Sequence, residues 1–343
     1  MKAAISDRFG PPEIIRIEER PTPAPGSNQV LIRQHAVIVS TPDTFFRGGT
    51  PFIARIAAGL FRPSSKILGD VVSGEVVAVG SGVTRWKVGD RVFGSTSPNN
   101  GAHAEYVVLP EDGALAPIPT KLDYVEAAAI PYGAITALPF LRDNGGIRAG
   151  QHVLINGASG AVGLSAVQFA KHFGAKVTAV CSGRHAELMH SLGVDHFLDY
   201  TKEDFTRARD AYDIVFDAIG KSSFGRARRA LKPGGIYLTT VPSMGILFQI
   251  LRTKLFGARR AGFAATGIRK APDKARDMAF TTELIVAGKY RGVVEQTYPF
   301  AEIAKAHAHV EEGHKAGDVV VTFSDATALA SPDNAAPPAR AAQ

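Results

Sequence analysis

The 343-residue chain has one cysteine, Cys181, and one tryptophan. A lone cysteine excludes an internal disulfide and any metal site built from several thiolates, and it fits a reducing cytoplasm. Nowhere do 18 apolar residues run together. The N-terminal MKAAISDRFGPPEIIRIEE also lacks the apolar core and small-residue cleavage site of a secretory signal, so a soluble protein is expected. Long blocks of one charge sign are missing too. The formal charge is +7, yet Lys and Arg are spread along the sequence, and nucleic acid is therefore not an expected partner.

What is present is the composition of a globular enzyme, on a chain long enough for two domains with separate cores. Up to about Pro119, short apolar runs broken by Gly and Pro (QVLIRQHAVIV, GEVVAVGSG, GDRVFGS, AEYVVLP) predict a mostly antiparallel β-domain resembling a barrel fragment. From about Leu122 the pattern changes. HVLINGA, KVTAVCS, HFLDY, YDIVFDAIG, GGIYLTTV and AGFAAT read as buried strands with helical segments between nearly all of them, which predicts a parallel, doubly wound sheet of six strands. After Arg291, VVEQTYPF and GDVVVTF flank a helix near Ala301 to Glu312 and predict a return to the first domain. The expected division is 1–121 with 291–323, then 122–290. The tail 324–343, rich in Ala, Pro and polar residues, is expected to be disordered.

The most informative stretch is INGASGAVGLSAVQFAKHFGAKVTAVCSGR, residues 155–184. A strand, His152 to Asn156, runs into Gly157, Ala158, Ser159, Gly160, Ala161, Val162 and Gly163, and an amphipathic helix Ala161 to Phe173 follows. This is the context that a dinucleotide-binding turn requires. Gly160 would let the backbone approach a pyrophosphate at the helix N-terminus, and Gly163 would let the helix pack closely on the strand. Ala158 takes the first position of the G-x-G-x-x-G pattern.

A further absence sets the cofactor. An NAD pocket places Asp or Glu about 20 residues beyond the glycines. Between Val177 and His185 there is no acid; Ser182 and Arg184 stand there instead, and both suit a 2′-phosphate. NADPH is the expected dinucleotide. Tyr200, at the end of the third strand, reads either as a phenolic contact to the same phosphate or as a strand-end packing residue.

Several segments together resemble the medium-chain dehydrogenase/reductase superfamily, in its zinc-free quinone oxidoreductase branch: STPDTFFRGG, GEVVAVGSGVTRWKVGDRVFG, GAHAEYVVLP and AAAIPYGAITA. The resemblance covers nearly the whole chain and implies an α/β architecture, a GroES-like β-barrel catalytic domain plus a doubly wound Rossmann domain. Zinc-dependent members of that superfamily carry G-H-E-x-x-G, where this chain has LGDVVSG with Asp70 and Val71 in place of His and Glu. No metal site is expected, and without those ligands plain alcohol oxidation is disfavoured.

The resemblance further implies hydride transfer from NADPH to a quinone or to the β-carbon of an α,β-unsaturated carbonyl, in a cleft between the domains. It offers Ser40 (where Asn is usual), Asp43 and Tyr132 as catalytic candidates, followed by Arg47 on the same loop as Asp43. Asp43 reads either as orienting a ribose or water or as a turn-stabilising contact, and Tyr132 either as a hydrogen-bond donor to a substrate oxygen or as buried packing. Thr136 matches the position close to the nicotinamide. Ala218 and Ile219 end the fourth strand, and Val241 the fifth, where the cofactor ribose passes in an open sheet. GHKAGDVVV resembles the branch's G-H-x-x-G-K-x-V, making His314 a cofactor candidate as well as an ordinary surface histidine; Asp318 replaces the usual Lys.

Two inserts, Thr50 to Lys66 and Met244 to Arg260, add apolar amphipathic pieces. The second is read as having an apolar face opposite a basic one, and as a subunit contact or lid in preference to a membrane-surface helix. The expected partners are thus a small, electron-poor and lipophilic substrate and a second copy of the chain, through the edge of the Rossmann sheet. Two other readings stay open: an NADP-dependent alcohol dehydrogenase working without zinc, and an NADPH-binding scaffold or membrane-associated protein with little turnover.

Overall fold

The computed structural model describes residues 1–50, 55, 59–313 and 315–323. His314, the 324–343 tail and part of the first insert lie outside the described residues.

The N-terminal part is built from β1 (Lys2–Ile5), β2 (Arg16–Glu19), β3 (Gln29–Val39), β4 (Val71–Val79), β5 (Arg91–Ser95), β6 (Tyr106–Pro110) and β7 (Ala114–Pro117). β3 organises it. Its N-terminal half pairs with β6, its C-terminal half with a strand from the far end of the chain, and its length with β4, all antiparallel. Register shifts between Leu31 and Ile32 and between Gln34 and Ala36 bend the strand, as bulges do, so that one strand serves three partners. The side chains enclosed include Val30, Ile32, Val72, Val76, Trp86, Val92 and Leu115.

Six parallel strands follow: β8 (His152–Asn156), β9 (Lys176–Cys181), β10 (His196–Asp199), β11 (Tyr212–Asp217), β12 (Leu231–Thr239) and β13 (Arg260–Phe263), in the order β10-β9-β8-β11-β12-β13. All six fall on the predicted apolar runs. A parallel sheet covered on both faces needs continuous apolar strands, and Val153, Leu154 and Ile155 of β8 are completely buried. The strand order reverses between β8 and β11, so the crevice at their C-terminal ends is the place where such a sheet takes a ligand.

β14 (Val294–Pro299) and β15 (Asp318–Thr322) then leave this sheet and extend the first one, β15 lying against β3. The helical stretch Tyr124–Asn144 joins the two parts. By length and composition it could cross a membrane, yet 72% of its apolar window is buried inside the protein, and Ile130, Ala134, Leu138 and Phe140 belong to the main core.

The helix Met244–Phe256 differs from its expected form. It buries only Ile246 and Thr253, while Leu247, Phe248, Leu251, Leu255 and Phe256 are exposed alongside Arg252 and Lys254. Apolar residues therefore lie on several sides and are not opposed to a basic face, because the helix is held by one narrow seam. Part of that seam is Thr253, whose Oγ1 accepts from the β13 backbone at Ala261.

Candidate functional site

β8 ends at Asn156, and the chain turns at Gly157 with a φ of 81°, a conformation that favours glycine. A Cβ on Gly163 would stand 2.1 Å from the Gly157 carbonyl oxygen, so the helix Ala161–His172 can approach the turn only with glycine there. Gly160 is different. A Cβ on it would meet nothing nearer than 3.7 Å. Gly160 is also the N-cap of the helix and has no side chain to satisfy the first-turn N–H groups, which leaves them for an anionic ligand. The close helix packing expected at Gly163 is thus present.

The turn is clamped from below and behind. Gly157 and Ala158 N–H both donate to the Val180 carbonyl, and Gly317, just before β15, donates its N–H to the Ser159 carbonyl at 2.9 Å. Asp217, fully buried at the end of β11, accepts from Asn156 Nδ2, Ser222 N and Tyr237 Oη at 2.8–2.9 Å. That carboxylate fixes the loop carrying Ala218 and Ile219. Ile219 lies over Gly157, and Val241 lies over Gly220. Ile219 and Val241 are nearly half exposed, an apolar rim along the C-terminal edge of the sheet.

At the adenosine end, Ser182 follows β9 and accepts a hydrogen bond from Arg184 Nε at 3.4 Å, with the Arg184 side chain in solvent. Tyr200, just after β10, is 53% exposed, a half-buried position open to either reading. Sequence inspection missed the acid of this region. Asp199, from the end of β10, lies against Gly183, where a Cβ would come 2.6 Å from its Oδ2. Its Oδ1 is engaged by the N–H and hydroxyl of Thr201. Those hydrogen bonds, with another from the Gly183 backbone, hold its carboxyl below the usual carboxylate range. Only the pairing of β10 with β9 brings it there.

Between the two sheets lies a cleft of about 310 Å³. One wall comes from the first domain, with Ser40, Pro42, Asp43, Phe46, Asp70 and the 97–100 loop. The other comes from the helix Pro131–Pro139, with Tyr132, Ile135 and Thr136, and from Thr240 and residues 263–268. Tyr132 and Thr136 stand one helical turn apart and so share a face. Gly133 lets their helix lie against the nucleotide-turn helix, since a Cβ there would be 2.7 Å from the Ala161 carbonyl oxygen. Tyr132, Thr136, Ser40 and Asp43 are thus brought together; Ser182, Arg184 and Tyr200 belong to the other end of the cofactor edge.

Ser40 and Asp43 are tied to each other. Ser40 caps the helix Thr41–Gly48 and Asp43 completes a capping box: Ser40 Oγ donates to Asp43 Oδ2 at 2.6 Å, and Asp43 N donates to Ser40 Oγ at 3.4 Å. Asp43 Oδ1 accepts from Gly69 N at 3.0 Å. The Ser40 proton is therefore committed, and the Asp43 carboxylate holds the backbone beside Asp70. Arg47, on the same helix, is buried away from the cleft and pairs with Glu311. The Tyr132 phenol makes no hydrogen bond among the described residues, and burial followed by the nearby Asp70 pushes its ionisation far up, so it stays a neutral donor.

Two further residues carry the cleft. Asp70 immediately precedes β4, with one carboxylate oxygen buried and unpartnered among the described residues. Burial first, and then the neighbouring Asp43, raise its pKa from 3.8 to about 7. Lys274 has no exposed surface, and its Nζ donates to Ser97 O, Ser97 Oγ and Gly267 O at 2.6–2.8 Å. One ammonium thereby joins the two walls, and burial lowers its pKa to about 8. Lys274 had no sequence signal; the signal for Asp70 was its place in LGDVVSG.

Residues 26–120 match the family described as alcohol dehydrogenase GroES-like domain, and residues 192–321 the one described as zinc-binding dehydrogenase. The NAD(P)H oxidoreductase RTN4IP1, mitochondrial, of Homo sapiens is 32% identical over an alignment covering 94% of this chain and 89% of that protein. The chain belongs to the medium-chain dehydrogenase/reductase superfamily, in its quinone-oxidoreductase-like branch. Another superfamily relative is the NADPH-dependent alkenal/one oxidoreductase, chloroplastic, of Arabidopsis thaliana, 32% identical over 94% of this chain and 79% of that one. Among solved structures, the quinone oxidoreductase from Coxiella burnetii superposes with a TM-score of 0.83 at 30% identity, covering 94% of this chain and 99% of that one.

One matched superfamily description names zinc, and the residues here do not fit that ion. Asp70 and Val71 stand where zinc-dependent members carry His and Glu. Cys181 is buried at the end of β9, its thiol pushed up to about 11 by desolvation. Among the described residues no three His, Cys, Asp or Glu side chains converge in a way that could hold a metal.

Proposed function

We propose that this chain is an NADPH-dependent oxidoreductase that reduces quinones or α,β-unsaturated carbonyls without zinc. The observation that carries the reading is the cleft. It opens where the superfamily does its chemistry, beside the rim formed by Ile219 and Val241, and its wall offers a neutral phenol, hydroxyls and an orphaned carboxyl in place of metal ligands. Bound NADPH supplies the hydride. The glycine turn from Gly157 to Gly163 holds the pyrophosphate. Ser182, Arg184 and Tyr200 take the 2′-phosphate, while Ala218, Ile219, Val241 and Thr136 border the nicotinamide half.

The chain's own residues bind and orient the acceptor. Phe46, Ile135, Phe140 and Phe263 exclude water and suit a lipophilic, electron-poor molecule. Tyr132 donates to the substrate oxygen on which negative charge develops. Ser40 and Asp43 act as positioning residues through Gly69. We place the protein in the cytoplasm as a homodimer. The edge strand β13, with the exposed apolar helix Met244–Phe256 beside it, supports a subunit contact, and that helix is not among the residues lining the cleft.

Steady-state oxidation of NADPH and NADH with an ortho-quinone, a para-quinone, an alkenal and a cyclic enone, after dialysis against a chelator, tests this reading. Chelator-resistant turnover preferring NADPH is the expected result. NADPH binding without turnover of any acceptor would replace it with the scaffold reading.

A further inference from the structure

Hydride addition leaves the acceptor short of one proton, so a site of this kind needs a proton source as well as a donor to the developing oxyanion. Among the polar groups on the cleft wall, the Ser40 hydroxyl is committed to Asp43, and the Asp43 oxygens accept from Ser40 and Gly69. The Lys274 ammonium is occupied by three oxygens. Tyr132 is given above to the developing oxyanion, and of the carboxyls on the wall Asp70 is the one with an oxygen, Oδ1, buried and unpartnered among the described residues, its backbone fixed on both sides. Asp43 holds Gly69, and Thr96 N donates to the Asp70 carbonyl at 2.8 Å.

We propose that Asp70 is the proton donor of this site, its carboxyl presenting a proton to the acceptor from the first-domain wall. The proposal rests on the hydride-transfer reading above. As hydride adds to the β-carbon of an enone, the C=C electron pair moves toward the carbonyl oxygen and gives an enolate. The α-carbon then takes the proton from Asp70, and the resulting carboxylate is reprotonated from solvent. With a quinone the same proton goes to the oxygen. Net consumption is one acceptor, one NADPH and one proton.

A donor at neutral pH must still hold its proton, and the surroundings secure this. Burial and the Asp43 charge favour the neutral acid; the Asp318 carboxylate adds to this more weakly, Lys274 opposes it, and Tyr132 is neutral. Activity should therefore fall as pH rises through about 7.

The test compares the full-length wild type, Asp70→Asn and Tyr132→Phe with NADPH and a 2-methyl cyclic enone or a para-quinone, from pH 5.5 to 9. Removal of a general acid lowers kcat by about 10²–10⁴-fold. The expected result for Asp70→Asn is a loss in that range with NADPH affinity, read by fluorescence, unchanged and the basic limb gone. In D₂O the wild type should label one face of the enone α-carbon, while residual Asp70→Asn product should carry label on both. An Asp70→Asn rate within threefold of wild type, a retained limb, or unchanged facial labelling would overturn the proposal. Transfer of all these effects to Tyr132→Phe would overturn it in favour of the phenol. A wild type that oxidises no NADPH with either acceptor would overturn the function reading itself, and this proposal with it.

Discussion

The glycine turn and the interdomain cleft lie side by side but are built differently. The turn comes from one continuous stretch and works through backbone: N–H groups at a helix start, a left-handed Gly157 and the close approach of Gly163. The cleft comes from scattered segments between Ser40 and Ile268 and works through side chains whose states depend on one another. A backbone site is insensitive to most side chains and intolerant of a Cβ in the wrong place. A side-chain site is the reverse, because any of its members can change without breaking the fold, and each change alters the charge seen by the others.

The strongest test of that contrast is a pair of alanines three residues apart. Gly163→Ala puts a methyl 2.1 Å from a backbone oxygen, and overpacking of this kind costs about 1–3 kcal/mol. Thermal melts should show a large loss of stability. Gly160→Ala puts its methyl in ordinary contact, 3.7 Å from the nearest atom, and as an N-cap change should cost no more than about 1 kcal/mol, so that its main loss appears in NADPH titration. Equal melting points for the two would break the comparison.

On the side-chain site, Lys274→Met removes the ammonium that joins Ser97 to Gly267 and leaves buried acceptors unpaired, at a cost of about 1–3 kcal/mol. It should also raise KM for the acceptor more than Kd for NADPH, which calorimetry and kinetics together would show. If NADPH binding suffers as much, the two sites are not separable.

Arg184→Ala should weaken NADPH by roughly tenfold, a charge-assisted hydrogen bond's worth, and leave NADH unchanged. The ratio of the two kcat/KM values measures it. A proportional loss with NADH would assign the 2′-phosphate to other groups.

Stability should also change with pH. Asp70 keeps its proton in the folded chain up to about 7, whereas in the unfolded chain it releases it near 3.8. The unfolded state therefore binds fewer protons over that window, and this group's contribution to stability falls as pH rises from about 4 to 7. Asp70→Asn should remove that decline, so its melting point relative to wild type should improve on going from pH 4 to pH 7.5. No pH dependence in the difference would mean that Asp70 titrates normally.

How much was legible beforehand follows the same division. The six parallel strands could be read because each is a short, mostly apolar run and the residues between nearly all of them keep a helical period. The glycine turn could be read because its backbone requirements are local. Asp199 was invisible as a neighbour of Gly183, since strand pairing brings them together across sixteen positions. Lys274 gave no sign of being buried, because an isolated lysine in a helix reads as solvated surface. In the helix Met244–Phe256 the apolar content was evident, but the side that meets the sheet is the one carrying Ile246 and Thr253, and that follows only from the β13 junction.

By itself, then, the amino-acid order determined the alternation of strand and helix that builds the parallel sheet, the glycine turn after its first strand and the presence of Asp70 and Val71 where zinc-dependent members carry His and Glu. These depend on patterns within a few tens of residues, where periodicity and turn chemistry act. Only the tertiary structure decided that Asp43 also holds Gly69, that Lys274 joins the walls and that Asp70 lines the cleft with a buried, unpartnered oxygen. A buried polar group's protonation and freedom depend on which distant atoms desolvate it and which donors reach it, and those are fixed only when the two sheets close on one another.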